Sequence, residues 1–117
     1  MDTAKAANLL SCHGGEILDY VNAPIGLAKK VPGPLLPHIA CPTTSGTGAE
    51  TTGIVVLDIE EVGLKSGISS PHLKPNHAIV DPETTLTLPS GVIASTGFDV
   101  LTLSLIHISE PTRRSMI

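Results

Sequence analysis

Aromatic side chains are nearly missing from this sequence. Tyr20 and Phe98 stand alone among 117 residues, and Trp is absent. With a net charge of −4, the chain has neither the basic surface nor the stacking residues that nucleic-acid binding needs. Cysteine is also scarce. Cys12 and Cys41 are too few for a disulfide framework or a zinc knuckle, and read as thiols in a reducing compartment. No apolar run reaches membrane length. The opening residues Met1, Asp2, Thr3, Ala4 and Lys5 lack the basic and apolar regions of a signal peptide.

What is present suits a small packed domain or a piece of a larger one. Hydrophobic residues make up 41%, too many for a disordered chain. The 11 Gly and 10 Pro mark many turns without reaching low complexity. Residues 1–11 favour helix, with no breaker before Gly14 and Gly15. A helix beginning at Met1 with no strand or cap before it suggests that the true start lies upstream. Residues 12–37 are mostly loop, with one short helical piece at 16–21.

Short buried strands are expected at 38–41 and 77–80. Residues 53–58, GIVVLD, read as a strand buried on both faces, as in a parallel sheet. A turn at 59–63 and a return strand at 64–69 predict a β-hairpin packed against the first helix. Residues 71–75 should be irregular and 84–89 extended. Ser90 is expected to cap a helix whose face carries Val92, Ile93, Thr96 and Val100. Strands interleaved with helices indicate an α/β layer arrangement.

Residues 103–117 do not continue this pattern. LSLIHISEPTR, residues 103–113, resembles the translated read of a transposase-type sequencing adapter over eleven positions. His107, Glu110, Arg113 and Arg114 therefore carry no functional weight. Without the tail, five basic and ten acidic residues remain, a net charge of −5.

The chemistry concentrates in PTTSGTGAETT, residues 42–52, after a buried strand. Gly46 and Gly48 permit tight backbone geometry. Thr43, Thr44, Ser45 and Thr47 offer hydroxyls beside loop amides that can face an anion. The loop is neither GxGxxG nor GxxxxGK[ST], and on residues alone such a loop is more often a polar turn than a phosphate site. Lys65 alone reads as a solvated lysine. Asp99, in an apolar helix, lies either at its polar edge or in a functional site. A lone Asp cannot hold a metal, and the residue one turn on is Leu103.

Three blocks carry a resemblance. PHIACPTTSGTGAETT (37–52), LKSGISSPHLKPNHAIVDP (64–82) and TLPSGVIASTGFDVLT (87–102) resemble the iron-containing (group III) alcohol dehydrogenase family in order and spacing. MDTAKAAN (1–8) resembles the end of its GGGSxxDxxK segment, with Asp2 and Lys5 on the Asp and Lys. MDTAKAANL, LDYVNAPIG, GAETTGIVVLD, SGISSPHLKP and GFDVL are similar to its hydroxyacid-oxoacid transhydrogenase branch.

The resemblance implies an α/β nucleotide-binding domain followed by an all-helical one, with the site in the cleft between them. Residues 1–89 would be the later part of a Rossmann-like domain with a β-hairpin. Residues 90–102 would be the first helix of a truncated helical metal-binding domain, and 103–117 a non-native tail. Asp2 falls in the pyrophosphate loop, whose glycines are not in this chain. Thr43, Thr44, Gly46 and Thr47 fall at the cofactor, and Thr52 and Lys65 near the nicotinamide ribose. Asp99 matches the first of four metal ligands. The family's second is a His at the place of Leu103, and the last two would lie beyond residue 117.

The implied chemistry is hydride transfer with NAD(P) and a divalent metal, Fe2+ or Zn2+, that polarises the substrate oxygen. In the transhydrogenase branch, 4-hydroxybutyrate gives succinate semialdehyde and 2-oxoglutarate gives 2-hydroxyglutarate. The resemblance further implies a homo-oligomeric intact parent in mitochondria, with no membrane or nucleic-acid partner. Three alternatives remain. One is an ordinary iron- or zinc-dependent alcohol or glycerol dehydrogenase, which would be cytoplasmic. Another is a non-enzymatic phosphate-binding module. The last is a polypeptide that is inactive as it stands.

Overall fold

The computed structural model describes residues 1–109, so part of the suspected tail, 110–117, lies outside the described residues. The chain forms two compact units. The first joins Met1–Pro42 with Ala49–Val80. The second joins Thr43–Gly48 with the chain from Asp81 onward.

The first unit opens with helix α1, Asp2–His13, as the Ala- and Leu-bearing sequence dictates. Gly14 ends it at φ 67°, donating its N–H to the Leu10 carbonyl at 2.8 Å. Lys5, Ala6 and Leu9 form its buried face. The short helix α2, Ile17–Tyr20, is closed by a capping box between Glu16 and Asp19.

Strand β1, Ile39–Ala40, pairs in parallel with β4, His77–Ala78. Between them in sequence lies the antiparallel hairpin of β2, Ile54–Ile59, and β3, Leu64–Ser69. Gly63, at φ 63°, supplies the left-handed residue of its turn. The register sets Val55 opposite Ile68, and both are buried. They join Ala6 and Leu9 of α1, Tyr20, Val21 and Leu73 in the core of this unit. The hairpin thus packs on α1 through β2, as the pattern predicts.

The second unit contains helix α3, Ser90–Ser109. Among the described residues, no helix is long and apolar enough to cross a membrane.

Several expectations fail. The run from Ile54 to Leu57 is not buried on both faces. Its one ladder partner among the described residues is antiparallel β3, and burial alternates, with Val55 at 0% exposure and Val56 at 53%. Residues 84–89 are not extended. Asp81 Oδ1 accepts from the Glu83 N–H at 3.0 Å, and Pro82–Thr85 winds into a 3-10 turn. Ser90 is not the cap of α3. The Pro89 carbonyl accepts from the N–H groups of Val92 and Ile93, which puts Pro89 in the capping position. Strands β1 and β4 are also shorter than the expected 38–41 and 77–80, and β4 is exposed rather than buried, with Ile79 and Val80 beyond it exposed as well.

Leu9 is fully buried against the hairpin, whereas Asp58 is largely exposed and paired with exposed Lys65. Leu9→Ala should therefore destabilise the first unit by about 2–5 kcal/mol. Asp58→Asn should change stability by less than about 1 kcal/mol. Urea titration checks both, and similar midpoints for the two variants would contradict the assigned core.

Candidate functional site

Within the first unit, α1 places Asp2 and Lys5 three residues apart, so they share one face of the helix. Asp2 is half-buried in the first turn. Lys5 is 1% exposed. Its ammonium donates to the carbonyls of Ala49 at 2.8 Å, Thr52 at 2.8 Å and Ile54 at 3.2 Å. A lysine has three N–H donors, and three carbonyls converge on them. Burial holds the Lys5 pKa below its usual value, opposed by the nearby carboxylates of Asp2 and Glu50.

Thr52 is half-buried and is held through its carbonyl by Lys5. Gly53 follows, and its carbonyl accepts from the Ser70 N–H at 2.9 Å. A Cβ on Gly53 would collide with the Ser70 carbonyl oxygen, so this crossing of backbones requires glycine. Lys65 stands on β3 directly across from Asp58 and pairs with it at 3.4 Å. Both side chains are largely exposed, so the ion pair contributes about 0–1 kcal/mol.

Within the second unit, Thr43–Gly48 lies against α3. Ser45 Oγ is 3.4 Å from Thr96 Oγ1, which also bonds to the Val92 and Ile93 carbonyls of its own helix. Gly46 has φ 94°, and a Cβ there would come 2.5 Å from the Thr96 carbonyl oxygen and 2.7 Å from Val100. Helix packing therefore already demands glycine at this position. Thr43 and Thr47 are exposed and Thr44 is half-buried. Gly48 also has a positive φ, 66°.

Asp99 lies exposed on α3, with Leu103 one turn on. Among the described residues, no three His, Cys, Asp or Glu side chains gather where they could hold a metal ion. Asp99 supplies one carboxylate, and one carboxylate does not make a coordination shell. The described residues alone therefore do not fit a divalent metal site.

The expected site residues are thus divided: Asp2, Thr52 and Lys65 in the first unit, and Thr43, Thr44, Gly46, Thr47 and Asp99 in the second. Sequence reasoning missed the role of Lys5. The available signal was its position one helical turn before Leu9, on the apolar face of α1.

The profile of the family described as iron-containing alcohol dehydrogenase matches residues 1–82. The mitochondrial hydroxyacid-oxoacid transhydrogenase of Xenopus tropicalis is 56% identical over 106 residues, covering 90% of this chain and 23% of that protein. Its counterpart from Rattus norvegicus is 57% identical over 102 residues, covering 86% and 22%. Among solved structures, the sulfoacetaldehyde reductase of Bifidobacterium kashiwanohense, in complex with NAD+, superposes with a TM-score of 0.76 at 43% identity. It covers 86% of this chain and 26% of that one. The chain spans about a quarter of the length of these relatives.

Gly46→Val should destabilise the second unit by about 1–3 kcal/mol before any ligand is added, through positive-φ strain and collision with α3. Denaturant unfolding followed by circular dichroism measures this, and an unchanged midpoint would show that the loop runs elsewhere. The 117-residue polypeptide should also bind neither Fe2+ nor Zn2+ tightly at Asp99. Calorimetric titration decides the point. Stoichiometric binding abolished by Asp99→Asn would contradict it.

Proposed function

The chain belongs to the iron-containing alcohol dehydrogenase family, and on that premise we propose that it is a segment of a nicotinamide-dependent hydroxyacid-oxoacid transhydrogenase. The observation that carries this reading is 56–57% identity to proteins of that name across most of the chain. The substrates would be 4-hydroxybutyrate and 2-oxoglutarate, exchanging hydride through NAD(P) held on the enzyme. The relatives are named as mitochondrial, and this protein would work in the same compartment. The intact parent would be a homo-oligomer.

The residues present suit a nucleotide. Thr43, Thr44 and Thr47 would offer hydroxyls to its phosphates, on a backbone that Gly46 and Gly48 hold at positive φ. Asp2 would lie by the pyrophosphate. Thr52 and Lys65 would contact the nicotinamide ribose, Lys65 exchanging its exposed partner Asp58 for the ligand. These groups bind and orient, and the cofactor supplies the hydride chemistry. Asp99 would be one oxygen ligand of a divalent ion, the other ligands coming from residues outside this chain. Residues 1–89 and 90–102 would belong to the nucleotide-binding and helical domains. Residues 103–117 would be adapter-derived, which the bases after the codon for Thr102 in the nucleotide read would establish.

A second reading, an ordinary NAD-dependent dehydrogenase of the same family, is supported by the likeness to the sulfoacetaldehyde reductase. Turnover separates the two. The intact parent, given 4-hydroxybutyrate and 2-oxoglutarate but no free NAD, should form 2-hydroxyglutarate. An absolute requirement for free NAD would favour the ordinary dehydrogenase. In the same assay Asp99→Asn should keep NAD binding and lose metal and turnover, because the ligand charge is gone. Full activity in that variant would remove Asp99 from the site.

A further inference from the structure

Lys5 combines features that a surface lysine lacks. It is 1% exposed, sits on the packed face of α1, and meets three backbone carbonyls from residues 49, 52 and 54. Those carbonyls come from one irregular stretch between Gly48 and the hairpin, with no ladder of its own until Ile54. Carbonyl oxygens carry partial negative charge and repel one another when they converge. A cation at their centre makes that convergence favourable. Thr52, the middle acceptor, is also assigned to the nicotinamide ribose.

We infer that Lys5 is a positioning residue for the cofactor site, its ammonium drawing the carbonyls of Ala49, Thr52 and Ile54 together and so fixing the backbone from which Thr52 meets the nucleotide. This rests on the reading of Thr52 as a cofactor contact. Lys5 itself need not touch the ligand. Its three donors are matched by the three carbonyls, which leaves none for a ribose hydroxyl or a phosphate. An uncharged side chain of equal length would fill the same space and leave the carbonyls without a centre.

The test uses the intact parent, with NAD affinity measured by calorimetric titration and folding followed by thermal melting. Lys5→Met should remain folded and bind NAD about tenfold more weakly, because a small misplacement of a binding group weakens its contact. Lys5→Ala should show the same loss. Added n-propylammonium, which replaces the missing atoms and their charge, should restore NAD affinity, and n-propanol at the same concentration should not.

Unchanged NAD affinity in folded Lys5→Met overturns the inference. Equal restoration by n-propanol overturns it too, because space-filling would then suffice. If Lys5→Met does not fold, Lys5→Arg carries the test. Its planar guanidinium keeps the charge but cannot meet three converging carbonyls in the same way, so NAD affinity should again fall, and parental affinity there overturns the inference. A parent that binds no NAD at all overturns the cofactor reading itself and the positioning role with it.

Discussion

The Lys5 ammonium ties helix α1 to three backbone carbonyls of the irregular segment that leads into the hairpin. Ordering a residue without regular structure costs about 1–2 kcal/mol in backbone entropy. Residues 49–53 have no strand or helix to offset that cost. One side chain from α1 supplies hydrogen-bond partners at three points within six residues. The helix itself is held by Leu9, packed into the cluster of Val55 and Ile68. Apolar packing and cation binding thus share one helical face, four residues apart.

A buried charge is an expensive way to join two segments. Desolvating an ammonium costs several kcal/mol, and apolar replacements of buried charges are often no less stable. Burial lowers the Lys5 pKa, in keeping with that cost, while Asp2 and Glu50 limit the effect. The return is directional. A methionine would fill the space from any angle, whereas an ammonium demands acceptors on defined vectors. What the charge contributes to this segment is therefore defined geometry more than stability.

Elements whose signal was local were legible in the sequence. The hairpin could be read from the β-branched run of β2 and the turn after it that ends in Gly63, and α1 from its composition and the glycines beyond it. Elements decided by competing local chemistry were misread. Residues 84–89 looked extended because the Thr-rich run suits a strand, but the Asp81 side chain and Pro82 commit the chain to a turn first. The apolar run at 54–57 suggested burial on two faces, and nothing local could reveal that β2 would alternate against a single helix. Lys5 was read only as part of a motif, since composition places lysines outside. Its acceptors lie more than forty residues away, beyond the reach of any periodicity.

The same distinction changes the reason for Gly46. From sequence, Gly46 permits tight backbone geometry in a loop whose amides can face an anion. In the structure, the space a side chain would need is already taken by the Thr96 carbonyl and Val100. Close packing and backbone geometry both favour glycine here. The missing Cβ lets the loop seat on α3, and the positive φ turns the peptide units beside it away from the course an L-residue would take. A rigid seat is also what a binding loop needs, since a loop ordered before the ligand arrives loses less entropy on binding. Lys5 in the first unit and α3 in the second thus do comparable physical work on either side of Gly48: each holds irregular backbone in place, one through hydrogen bonds to its carbonyls and the other through close packing.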